Sequence, residues 1–156
     1  MSRKTLKGKK LSYLISKANK AYEEKFYLET IFLCHSIIEE RLRSTVLKTD
    51  GDFGKKHKIP GCVKRFKKNI KDKNFMFHLF FSEEQMKQIY IWKKSKRDNL
   101  IHEIENNFDV VNDIDKLHKI ANEGILLMKN LNSTVMRWKK QAIKHNVIDN
   151  KILEDE

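Results

Sequence analysis

Residues 114–138 read IDKLHKIANEGILLMKNLNSTVMRW, and their spacing decides the fold class. Ile114, Leu117, Ala121, Gly124, Met128, Leu131, Val135 and Trp138 alternate steps of three and four. That is a seven-residue repeat kept for about three and a half heptads, the signature of a helix with one apolar stripe. Such a helix needs partner faces, so it reads as a bundle member and not as a free coiled coil. Ala121 and Gly124 are small enough to mark where another helix approaches closely.

Working outward, residues from about 11 to 49 also read helical, with a break near Phe26. Leu28, Ile31, Phe32, His35, Ile38, Leu42 and Val46 keep the spacing of one buried face, and His35 on that face is expected to be a hydrogen-bonded core residue. The chain has five Gly and one Pro, and three of those Gly with the Pro fall between Gly51 and Gly61, the main loop. Gly51 to Lys56 resembles a phosphate cradle only in composition, because it lacks the strand-to-helix setting such loops need. Val63, Phe66 and Ile70 then define a short amphipathic helix, and the dense apolar run Phe75 to Phe81 reads as core and not as a base-stacking platform. Ser82 caps the next helix, with Gln85 placed to complete a capping box. Met86, Ile89, Tyr90, Leu100 and Ile104 form its stripe, and Lys93 and Arg97 fall on the same ridge. A connection follows around Asn106 to Asn112. The expected fold is all-α, a four- to five-helix up-and-down bundle forming one domain over residues 1–156, with a frayed basic segment at 1–10 and a frayed acidic tail at 149–156.

Thirty-three Lys and Arg against twenty-one Asp and Glu give a net charge of +12. That charge favours a polyanionic partner, nucleic acid first and an anionic membrane second, over a neutral metabolite. Between Lys55 and Lys73 only Asp72 opposes nine Lys or Arg, so Lys64, Arg65, Lys67 and Lys68 are candidates for phosphate contact. No run of about eighteen apolar residues exists, and MSRKTLKGKKL lacks the apolar stretch of a secretory signal, so the expectation is a cytoplasmic protein with no membrane partner. Cys34 and Cys62 form no C-x-x-C pair and read as reduced thiols. The six His show no metal-ligand spacing, so neither a metal nor another cofactor is expected.

The densest chemistry lies in Arg97-Asp98-Asn99-Leu100-Ile101-His102. Arg97 is a permanent cation able to clamp a phosphate, and His102 titrates near neutrality. Asp98, one helical turn before His102, is expected to orient the ring, with Asn99 a second candidate for that task. On an ideal helix Arg97 and His102 lie about 140° apart, so they meet at one phosphate only if the helix deforms, the Arg wraps round, or a homodimer sets two such pairs about one groove.

These residues resemble the HEPN superfamily: an all-helical chain, His35-Ser36-Ile37-Ile38-Glu39 in an early long helix, and Arg97-Asp98-x-x-x-His102 in a later one. The resemblance covers about residues 18 to 140. It implies a dimeric helical bundle and a metal-independent endoribonuclease of the kind found in toxin–antitoxin, abortive-infection and CRISPR effector systems, with an antitoxin or defence-system partner protein. By the same likeness Arg97 and His102 are the catalytic positions, Asp98 is the polar residue after the Arg, and Glu39 matches an acidic position of the first long helix. Members paired with a nucleotidyltransferase antitoxin carry Tyr two residues after the His. Ile104 stands there, which argues against regulation through such a tyrosine.

The expected chemistry is cleavage of RNA held by Lys93, Lys94, Lys96 and the Lys64–Lys68 stretch. The ribose 2′-OH attacks, giving a cyclic phosphate and a 5′-OH end. Two alternatives share the charge pattern: a non-catalytic RNA-binding module and a protein-interaction bundle.

Overall fold

The computed structural model describes residues 6–51 and 57–148. The acidic tail at 149–156, the first five residues and all of the would-be cradle but Gly51 lie outside them. Among the described residues there are six α-helices: α1 (Leu6–Glu23), α2 (Tyr27–Thr49), α3 (Ile59–Lys71), α4 (Glu83–Ile91), α5 (Asn99–Asn106) and α6 (Ile114–Lys144). There is no strand among the described residues. A π-helical segment, Trp92–Asp98, runs α4 into α5, and 3₁₀ segments occupy Asn74–Leu79 and Phe108–Asn112. The chain is all-α, as its periodicity implies; α1 starts at Leu6, inside the stretch expected to fray.

The turn between α1 and α2 falls at the expected break, with Lys25 at a positive φ of 64° and Phe26 capping α2. Gly51 follows the C-cap of α2 at φ 72°, the left-handed conformation that ends helices and that glycine adopts without strain. Ser82 accepts a hydrogen bond from the Gln85 N–H at 3.1 Å and starts α4.

α2 is the central helix, packed against α1, α3 and α6. Three neighbours widen its buried arc, so Cys34 and Ile37 join Ile31, Ile38, Leu42 and Val46 in the core. That corrects the expected face, because Phe32 stays 41% exposed at the edge of the arc. In α6 the heptad positions from Leu117 to Trp138 are buried, but Ile114, at the first turn, is 62% exposed. Phe66, Phe77, Phe81 and Trp138 form an aromatic cluster, with the Phe66–Phe77 and Phe77–Trp138 centroids 4.9 and 5.3 Å apart. Phe75 and Met76 sit at positive φ, held where Trp138 Nε1 donates to the Phe75 carbonyl at 2.7 Å.

Gly124 marks the close approach expected of it. A Cβ there would lie 2.7 Å from the Trp92 ring. Its absence lets the indole lie against α6 and donate from Nε1 to the Ile120 carbonyl at 2.9 Å. This contact anchors the first residue of the π segment to the longest helix.

Candidate functional site

The π segment carries Lys93, Lys94, Lys96, Arg97 and Asp98. In such a turn residues five apart come into register, whereas on an α-helix they diverge by about 140°. Lys93 and Asp98 are five apart, and the Lys93 ammonium lies 2.8 Å from the Asp98 carboxylate. Arg97 donates to the other carboxylate oxygen at 2.9 Å. Burial alone would raise the Asp98 pKa, but the hydrogen bonds and charges of Lys93 and Arg97 outweigh it and hold the carboxyl below the usual range.

Two contacts fix Arg97. Asp98 holds its terminal nitrogen, and the Phe32 ring of α2 lies 5.8 Å from the guanidinium carbon, within cation–π range. Its Nε is buried without a hydrogen-bond partner. Arg97 borders a cavity of about 520 Å³ with Lys93, His35 and Glu39 of α2, and Lys58, Pro60 and Gly61 at the start of α3. The exposed edge of α2 therefore supplies the floor of the Arg97 site.

His102 lies elsewhere. Its side chain is 74% exposed on α5, with Nδ1 3.5 Å from a Glu105 carboxylate oxygen. It lines a second cavity of about 420 Å³ with Asn99, Glu103, Asn106, Asn107 and Val110. The two cavities share no residue, so one chain does not converge Arg97 and His102 on a single pocket. Asp98 is engaged by Lys93 and Arg97, and the carboxylate beside the His102 ring is Glu105. The expected Asp98–His102 contact is thus replaced by a π-register pair on one side and an (i, i+3) pair on the other. Asn99 shares the His102 cavity but donates to the Ser95 carbonyl at 3.1 Å. Glu39 does reach the Arg97 cavity, from a helix far away in sequence.

His35 overturns the core reading. It is only half-buried, its Nε2 is enclosed without a partner, and it borders the Arg97 cavity. Burial, then the Arg97 charge, push its pKa down to about 4; Asp98 opposes them and Lys93 adds the smallest effect, downward. The ring is neutral at pH 7. Lys58 is the other residue missed. The signal for His35 was a second stripe on α2, Phe32, His35 and Glu39, spaced three and four beside the apolar one.

Of the proposed RNA-contacting lysines, Lys94 and Lys96 are exposed, with Lys94 over the Tyr90 ring. Lys93 is neutralised by Asp98. On α3, Lys64 and Lys68 are exposed and Lys67 half-exposed, while Arg65 pairs with Asp50 at 3.7 Å. Among the described residues no cluster of three or more His, Cys, Asp or Glu is placed to hold a metal, and no helix is long and apolar enough to cross a membrane.

The model of the HEPN domain matches residues 12–123, well over half of the chain. The chain belongs to the HEPN family. The match takes in α2, the π segment with Arg97, His102 on α5 and the first part of α6. HEPN modules are all-helical, often ribonucleases and often dimeric, while many are non-catalytic. Comparison with curated proteins and with solved structures finds no match.

Proposed function

We propose that this HEPN chain is a metal-independent endoribonuclease working as a symmetric homodimer. The observation that carries the reading is the restraint of Arg97 between the Phe32 face and Asp98 at the mouth of a cavity, with the accessible imidazole of His102 five residues on. A guanidinium held in place before substrate arrives can stabilise charge developing on a phosphate without reorganising. Because Arg97 and His102 open onto separate cavities in one chain, the second subunit completes the site. His102 takes the proton of the ribose 2′-OH, the oxygen attacks the adjacent phosphorus, and the 5′-oxygen leaves with a proton from the partner subunit's His102. The products are a 2′,3′-cyclic phosphate and a 5′-OH. DNA, lacking the nucleophile, is not cut.

Lys94, Lys96, Lys64, Lys67 and Lys68 guide the strand. Unrestrained cleavage of cellular RNA arrests growth, which suits a cytoplasmic toxin or antiviral defence effector held in check by an antitoxin or partner protein.

The test is cleavage of end-labelled RNA by wild type, Arg97→Ala and His102→Ala, with excess EDTA present. The expected result is cyclic-phosphate ends and a loss of about a hundredfold or more in each variant, the usual size of a positioned acid or base effect. Intact RNA at high protein concentration, or an undiminished His102→Ala, sinks the nuclease reading and leaves RNA binding without catalysis.

A further inference from the structure

The Arg97 cavity holds two charged groups that do not meet. Among the described residues the side chains of Glu39 and Lys58 make no hydrogen bond or ion pair, although both border the same space. The other two cations there are already committed, Lys93 to Asp98 and Arg97 to Asp98 and Phe32. A carboxylate and an ammonium left apart at one cavity offer an acceptor and a donor to a guest that donates to the first and accepts from the second. The volume, about 520 Å³, lies within the range of small-ligand pockets.

We propose that this cavity is a guanine-binding site. An ionised carboxylate only accepts, through two oxygens side by side. Guanine offers two adjacent donors, N1–H and the 2-amino group, followed on the same edge by the O6 acceptor. The donors fill both Glu39 oxygens, and O6 takes a hydrogen bond from Lys58. Adenine and cytosine give the carboxylate one donor beside a repelling ring nitrogen. Uracil gives one donor flanked by two carbonyls. Unstacked bases are commonly read in this way along their Watson–Crick edge. Arg97 at the mouth is positioned for the phosphate attached to the same nucleoside. The site therefore supplies base selection for the ribonuclease, and in that role it rests on the proposed function; the binding of guanine itself does not.

The test is calorimetric titration of GMP, AMP, CMP and UMP into the full chain, repeated with Glu39→Gln and Lys58→Ala, alongside cleavage mapping on random-sequence RNA. GMP should bind about tenfold or more tighter than the other three, the discrimination one bidentate contact gives. Glu39→Gln presents one donor and one acceptor, so it should weaken GMP and strengthen AMP, an inversion that mere structural damage does not produce. If that variant fails to fold, Lys58→Ala, an exposed change, should still weaken GMP several-fold. Equal affinity for all four nucleotides, no binding at millimolar concentration, or an unaltered order in Glu39→Gln overturns the proposal. GMP selectivity with intact RNA keeps the pocket and removes the nuclease. Cleavage without base preference and without GMP selectivity does the reverse.

Discussion

Arg97 is worth more for where it is held than for its charge. A guanidinium is planar and can lie on Phe32 while hydrogen bonding to Asp98 at its edge; an ammonium cannot do both. Arg97→Lys is therefore expected to lower RNA cleavage about a hundredfold while preserving most of the binding, read from single-turnover rates against filter-binding affinity. Asp98→Asn should slow cleavage by loosening Arg97 and Lys93, yet leave the pH optimum where it was, because Asp98 does not touch the His102 ring. A displaced optimum in that variant would restore the expected Asp98–His102 link. His35 makes a separate pH prediction. Its pKa falls on folding from the ordinary 6.5 to about 4, so between these values the unfolded chain binds a proton that the folded chain refuses. The stability this group contributes is intact above the upper value and is lost as pH falls toward the lower one. Urea midpoints at pH 7.5 and pH 5 should differ more for wild type than for His35→Gln.

At the scale of elements, the π segment meets α6 where the Trp92 ring crosses Gly124. Gly124→Ala gains helix propensity of about 1 kcal/mol but drives a methyl into a rigid indole, so a net loss of about 1–2 kcal/mol is expected from denaturant melts. Adding Trp92→Phe, which removes the obstructing ring edge, should make the pair less than additive. This contact was half legible in the sequence: a glycine on a heptad position announces a close neighbour, but nothing in the spacing names Trp92. The helix of α6, the break at Phe26 and the Ser82 cap could all be read because local chemistry sets them. The π segment could not. Phase arguments assume 3.6 residues per turn, and the extra residue taken up between Trp92 and Asp98 is fixed by tertiary anchoring of the indole on α6. The misplacement of Asp98 follows from that one assumption. His35 and Glu39 were visible as residues, but their sharing of one cavity with Lys58 depends on how α3 packs beside α2, a long-range arrangement no local pattern encodes.

At the scale of the whole molecule, charge and assembly set the expected outcomes. With a net charge of +12, RNA affinity should fall with salt along a log–log slope of about 0.7 per phosphate contact. Reversing Lys64, Lys67 and Lys68 together flattens that slope if α3 lies on the strand's path; an unchanged slope confines the path to Lys94 and Lys96. Sedimentation at tens of micromolar protein should show a dimer, and a monomer at every concentration would leave Arg97 and His102 on separate cavities with no partner to unite them.

The two cysteines have a practical consequence. Cys34 and Cys62 are buried in the core, and burial pushes both thiols up to about 12, so neither supplies a thiolate at neutral pH. The native chain should resist maleimides and Ellman's reagent until it unfolds. A single cysteine placed at the exposed Ser95, on the π segment two residues from Arg97, would then be the sole reactive handle. A fluorophore attached there would report nucleotide arrival beside the guanidinium, and the silent background of the parent chain makes that signal unambiguous.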